Sequence, residues 1–434
     1  MKWRTVQNFI TDKQNIIIGL DRLMEAFLYT IIFTLPFSNT AVEIAFVCAL
    51  FTWVAKRFLW YKPGASLIES VKLENTKLNL PIAAFVLFGF LSTITSVSVC
   101  LSLKGFFFKL FELVMVFFIV VEFFNSKKRL NRILIVMLLS MVFITIDGMF
   151  QFITGRDFIR HYKLMYGQRM QASFCNPNDF GGWLVTMIPL ALSLLWFSRK
   201  NYLPNLPKGR YWAREVLKLF FYLLSGSLLC CLFLTHSLGA YVATILSVVF
   251  LGIFKSRKLL IAAIMILWIM AVPFIAPFVV KENSVRNVAS EDSSIVNRLQ
   301  SWHETMNIVK DFPLLGAGLN TFSTVRPWYR IYKRTYECYY PHNSYLHMAA
   351  ESGLLGLGAF IWIIGCLFKM SVVNLRKIPD KFHKSFLVGL MAGLFGFLVH
   401  SFVDTNFYSL QLGVLMWFVM GIIVAIQRTA LSEK

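Results

Sequence analysis

About twelve apolar runs, each close to the length of a bilayer crossing, recur along this chain of 434 residues. They lie near 23–38, 41–59, 80–99, 105–124, 132–153, 178–197, 216–234, 239–254, 259–280, 343–368, 384–403 and 408–427. A hydrocarbon core of roughly 30 Å takes about 20 helical residues, and its lack of water forces every backbone group to be satisfied within the span. Charged residues make up 15% of the chain, against about 25% in soluble domains. The expected fold is therefore all-α, a polytopic integral membrane protein of about 12 transmembrane helices. Residues 1–280 would hold the N-terminal spans, 281–342 one large external loop with amphipathic helices, and 343–434 the last spans.

The formal net charge of +21 points first to nucleic acid, but its distribution points elsewhere. Most cations sit between apolar runs, where they set topology and meet anionic lipid headgroups. Lys2 to Arg22, Lys56 to Lys77, Lys127 to Arg132, Arg199 to Lys218, Lys255 to Lys258, Lys369 to Lys384 and the C-terminal tail fall on one side. The positive-inside rule makes that side cytoplasmic and puts both termini there. Met1 to Asp21 is polar and mixed in charge, without a cleavable signal pattern. None of the seven cysteines has metal-ligand spacing, and a disulfide between the external Cys175 and Cys338 is one option.

The same topology leaves two large external segments, about Gly155 to Pro177 and Lys281 to Pro341. In the second, apolar residues from Ile295 to Val309 recur at helical spacing, which predicts an amphipathic surface helix. Asp311-Phe312-Pro313 should end it, and Gly316-Ala317-Gly318 should turn the chain into a second short helix. No phosphate-cradling glycine loop or dinucleotide fingerprint occurs, so energy for any reaction must already reside in the substrate.

Polar groups able to do chemistry gather on the external side. His342 and Asn343 follow Pro341 at the start of the tenth run. The positive end of the helix dipole disfavours an imidazolium there, so His342 reads either as a general base or as a helix cap. His347 lies five residues on, on another face, and reads as packing. Arg298 and Trp302 share a face of the surface helix, being four apart. A guanidinium binds phosphate oxygens bidentately, so Arg298 and Arg169 read as substrate cations, with lipid headgroups the alternative ligand. Arg330, Lys333 and Arg334 read as a solvated basic face. His400 and Asp404, four apart, could pair on one helix face, or Asp404 could cap a short loop. Glu112, Glu122 and Asp147 lie inside spans, where acids pack inward against partners. The sparse external acids offer no metal cluster.

Taken together, the motifs resemble the O-antigen ligase and O-antigen polymerase superfamily. They are Arg298…Trp302, Pro313-Leu314-Leu315-Gly316-Ala317-Gly318…Phe322 and His342-Asn343-Ser344-Tyr345-Leu346…Glu351-Ser352-Gly353-Leu354-Leu355-Gly356. Arg169…Phe174-Cys175-Asn176-Pro177-Asn178 and His400…Asp404 extend the resemblance over about residues 150–427. It implies an inverting glycosyltransferase of the bacterial inner membrane, working without nucleotide, metal or other cofactor. The donor would be a glycan on undecaprenyl diphosphate, and the acceptor a hydroxyl of lipid A–core or of a growing glycan. His342, with Asn343, would be catalytic, and Arg298 and Arg169 would hold the diphosphate. Trp302, Asn176, Asn178, His400 and Asp404 would support them.

One departure stands out. Members often carry an arginine at the start of the eighth span, where this chain has Thr235-His236-Ser237-Leu238. His236, or an arginine from the first external loop, would have to replace it. The resemblance leaves ligase and polymerase open. The absence of a further domain after the last span argues against a protein acceptor. A transporter or flippase of anionic solutes or lipids is the alternative from another class, using the cations as a funnel and needing no base.

Overall fold

The computed structural model describes residues 2–60, 73–165, 168–199, 211–255, 294–331 and 340–432. These form a helical membrane protein with no strand among the described residues beyond two isolated bridges, Arg156 with Lys163 and Met165 with Arg169. The helices are α1 (Lys2–Thr34), α2 (Asn39–Trp60), α3 (Asn79–Ile94) and α4 (Val99–Gly105). A π-helical segment, Phe106–Phe111, joins α4 to α5 (Glu112–Phe123). Then come α6 (Lys127–Thr154), α7 (Pro177–Arg199), α8 (Tyr211–Leu234) and α9 (Leu238–Lys255). The surface segment holds α10 (Ser294–Asp311) and α11 (Phe322–Val325), followed by α12 (Ser344–Leu375), α13 (Lys381–His400) and α14 (Leu410–Ser432).

Eleven of the expected apolar runs fall on these helices, and the run at 259–280 lies outside the described residues. Six helices, α6, α7, α8, α12, α13 and α14, are long and apolar enough to cross a membrane. Among the described residues these six stand out, and several of the other runs depart from that pattern for identifiable reasons. The α3 and α9 stretches are shorter, the run at 105–124 is divided by the π segment, and α1 carries Asp21, Arg22 and Glu25.

Close packing comes from small residues rather than from apolarity, as it must where lipid is as apolar as leucine. Along α13, Gly389 and Gly393 face α7 so closely that a Cβ would sit 2.9 Å from the Leu190 Cα and 2.1 Å from the Thr186 carbonyl. One turn on, Gly396 meets Ser247 and Val185. These contacts make α7, α9 and α13 a tight sheaf, with α14 buried nearly all round against α5 and α13.

At one end of the bundle Asp21 pairs with Lys56 (2.7 Å) and Arg129 (2.9 Å), and Glu25 with Arg132 (2.6 Å). Glu122 pairs there with Arg57 and accepts from Trp53 Nε1 (2.9 Å). Towards the opposite end Asp147 accepts from Ser173 (2.8 Å) and from the Phe158 amide (2.9 Å). Two of the three acids expected to pack inward against partners therefore do so.

The surface segment is locked to α12 by its own backbone. The α12 helix is broken at Gly353, whose φ of 70° and ψ of −179° no ordinary side chain adopts. Into that break docks the run after α10. Leu354 N donates to the Pro313 carbonyl (2.8 Å), while Ala317 N and Gly318 N donate to the carbonyls of Ala350 (2.8 Å) and Glu351 (3.0 Å). A Cβ on Gly353 would lie 2.0 Å from the Leu314 oxygen, and one on Gly316 2.4 Å from the Glu351 carbonyl. The two glycine motifs singled out in the sequence are thus the two halves of one joint.

Candidate active site

The joint brings α10 beside the entrance to α12. Trp302 donates its indole N–H to the Pro341 carbonyl (2.9 Å), which fixes the chain just before His342. Asn343 is the N-cap of α12, its side-chain oxygen accepting from the amides of Tyr345 and Leu346 (3.0 Å each). The capping role weighed for His342 therefore belongs to Asn343, and His342 stands one residue outside the helix. It does so at φ 50°, a left-handed conformation uncommon for a residue with a side chain and concentrated at functional positions.

Ser344 ties this start to the connection between α13 and α14. Its amide donates to the carbonyls of Ser401 (2.9 Å) and Asp404 (3.1 Å), and its hydroxyl to that of Asp404 (2.9 Å). Asp404 is thereby set against His342, Oδ1 lying 3.3 Å from the imidazole Nδ1. Burial alone would raise the Asp404 carboxyl. The hydrogen bond from His342, the nearby His400 and the Thr405 amide outweigh it and pull the group down to about 2. A buried carboxylate on Nδ1 holds the proton there and makes Nε2 the basic nitrogen.

The expected pairing of His400 with Asp404 is not formed. The α13 helix ends at His400, so the i,i+4 face does not continue to Asp404. His400 is fully buried instead, its Nδ1 2.9 Å from the Asn406 amide nitrogen. It acts on Asp404 only through the field.

Arg169 enters from the connection between α6 and α7. Its Nε donates to the Thr235 carbonyl (2.9 Å) and a terminal nitrogen to Asn178 Oδ1 (2.9 Å). Asn176 caps α7 by accepting from the Asp179 amide (2.8 Å), with Pro177 at the first helical position. That local signal aims Asn178 and Asp179 at the same space. Burial first, then the adjacent Arg298 charge, hold the Arg169 guanidinium below its usual value, while Tyr241 and Asp404 act in the other direction. Two guanidiniums kept within each other's field favour an anion between them.

A cavity of about 440 Å³ gathers these groups. His342, Asp404, Arg169, Asn176, Asn178 and Asp179 line it, with Tyr340 and Tyr408. His236 is not among its walls. It occupies the tight turn between α8 and α9 at φ 49°, exposed, its ring against Phe233. Leu238 opens α9, half exposed. The cation that reaches this turn is Arg169, bonded to Thr235.

Comparison with protein families gives one finding. Residues 222–361 match the family described as O-antigen ligase. This stretch of the chain is similar to the O-antigen ligase family. That match runs from α8 into α12 and takes in Arg298, Trp302, the glycine joint and His342. No curated protein matches the chain. Arg169, Asn178, His400 and Asp404 lie outside the matched residues, yet Arg169 and Asp404 share a cavity with His342 of the matched segment.

Sequence reasoning passed over Asp179, Asn406 and Tyr408, and quoted Glu351 without giving it a partner. Tyr408 stacks on His347 (ring centroids 3.5 Å apart), and His347 Nε2 lies 3.3 Å from Glu351 Oε1 in a buried pair. The i,i+4 spacing of His347 and Glu351 was the available signal. Tyr408 had none.

Proposed function

We propose that this protein is an inverting glycosyltransferase, moving a glycan from undecaprenyl diphosphate to an acceptor hydroxyl on the external face of the bacterial inner membrane. The observation that carries this reading is the His342 Nδ1–Asp404 Oδ1 contact within the cavity that Arg169 also lines. His342 Nε2 takes the proton of the acceptor hydroxyl as its oxygen attacks the anomeric carbon. The bond from that carbon to the diphosphate oxygen breaks on the opposite face, and the electron pair leaves with the diphosphate. Arg169 and Arg298 meet the developing charge, a preorganised electrostatic role. In the same reading twelve helices cross the membrane, both termini are cytoplasmic, and 281–342 is the external loop between membrane parts 1–280 and 343–434.

The preferred acceptor is lipid A–core, which makes the reaction a ligation, with polymerisation of repeat units the alternative. Both arms are tested by incubating the purified chain in proteoliposomes with undecaprenyl-diphosphate glycan and either acceptor. Transfer to lipid A–core alone supports ligation, and lengthening of the carrier-linked glycan supports polymerisation. Full transfer by His342→Ala would remove the histidine from the mechanism. Passage of donor across the membrane without transfer would replace the enzyme reading by a transporter.

A further inference from the structure

Glu112 has no part in that reaction, and its surroundings are unlike those of the other acids in the bundle. It begins α5 directly after the π segment and is 7% exposed. Its Oε1 has no hydrogen-bond partner among the described residues. Buried carboxylates are retained where something donates to them, because an unpaired one is costly.

The side chain lines a second cavity, of about 220 Å³, between α5, α12 and α14. This is below the roughly 300–1,000 Å³ of pockets that hold a whole small ligand, so it suits part of a larger molecule. Tyr408, Ser409 and Leu410 belong to its wall and to that of the His342 cavity, which makes the two neighbours. Phe108, also on the wall, is 73% exposed on an apolar surface with Phe107 and Phe111, so the cavity gives onto the lipid-facing side. The π segment produces this opening, since a π turn re-aims successive side chains and recurs at functional places. Charge then narrows the occupant. Glu43 shares the wall with Glu112, and Lys109 is engaged by Asn320 Oδ1 at 2.7 Å. Glu351, paired with His347, completes three carboxylates on the wall, which with a committed lysine disfavour a phosphate or diphosphate head.

We infer that this cavity receives the uncharged, hydroxyl-bearing head of a membrane amphiphile, with Glu112 accepting from a hydroxyl and the apolar chain leaving past Phe108. It rests on the transferase reading only in that the site adjoins the His342 cavity through Tyr408, Ser409 and Leu410. The test needs no turnover, so its outcome is separable from that of the transfer assay. Benzoylphenylalanine is introduced at Phe108 in the full chain in nanodiscs, and two radiolabelled probes of equal chain length are offered, an alkyl glucoside and an alkyl phosphate. Light-driven capture of the glucoside in preference to the phosphate is expected. Glu112→Leu should lower that capture about tenfold, as loss of one charge-assisted hydrogen bond would, while Glu112→Gln, which keeps an acceptor oxygen, should preserve most of it. Equal capture of both probes, no capture of the glucoside, or capture indifferent to Glu112→Leu overturns the inference. Should Glu112→Leu fail to fold, the probe contrast and the Glu112→Gln variant decide.

Discussion

Asp404 is where one side chain sets the behaviour of another. Its depressed folded value, about 2 against an ordinary 3.8, means its charge stabilises the fold above the ordinary value and loses that contribution as pH falls through about 2. It is therefore ionised wherever His342 could act as a base. Asp404→Asn removes the charge that favours the imidazolium. The acid limb of the rate profile should then move to lower pH, and kcat should fall by roughly 10²–10⁴-fold, the usual worth of positioned acid–base catalysis. A kcat–pH series on both proteins checks this, and an unmoved limb would leave Asp404 a structural residue. Arg298→Lys keeps the charge and loses the planar fork. It should raise the donor KM, read by initial rates at varied undecaprenyl-diphosphate glycan, with the acceptor KM unchanged. The chemical character of His342 and Arg169 was legible in the sequence because each stood beside a local signal, a helix start or a capped motif. The partner of His342 was not. His400 and Asp404 are spaced as a helical pair, and only the end of α13 at His400 hands Asp404 to a residue 62 positions away.

At the scale of elements, α12 carries most of the argument. Asn343 holds its first amides, so Asn343→Ala should cost about 1 kcal/mol of stability and leave the pH profile unaltered, with Asn343→Asp restoring the cap. Thermal unfolding with a parallel rate assay separates this from a direct part in the chemistry, which would cost kcat in all variants. Gly353→Ala meets both a left-handed φ and a carbonyl 2.0 Å away, so it should destabilise by more than about 1 kcal/mol and loosen α10 from α12. Faster hydrogen exchange at the amides of Ala317 and Gly318 would report that loosening, and unchanged protection would count against the joint. The sequence showed the amphipathic α10 and both glycine motifs through periodicity and turn chemistry. That the two motifs are complementary halves could not be read there, because backbone-to-backbone docking leaves no side-chain pattern.

For the molecule as a whole, paired acids and bases collect at one end of the bundle and the His342 cavity at the other. If the basic end is cytoplasmic, Cys175, exposed beside the cavity, should react from outside intact spheroplasts. A membrane-impermeant maleimide on a variant with Cys175 as its sole thiol tests this, and labelling only after permeabilisation would invert the topology. Hydropathy made the helical architecture legible almost helix by helix. It gave no sign of the π segment that divides the run at 105–124.

The docking of 313–318 into the break at Gly353 also imposes an order of assembly. A ribosome delivers the first half of the joint some 35 residues before the second, and it delivers Asp404 later still. Until α13 has been inserted and its following connection has folded back on Ser344, His342 has no carboxylate to orient it. In the proposed mechanism a nascent or truncated chain would therefore hold His342 without its carboxylate until the connection after α13 is in place.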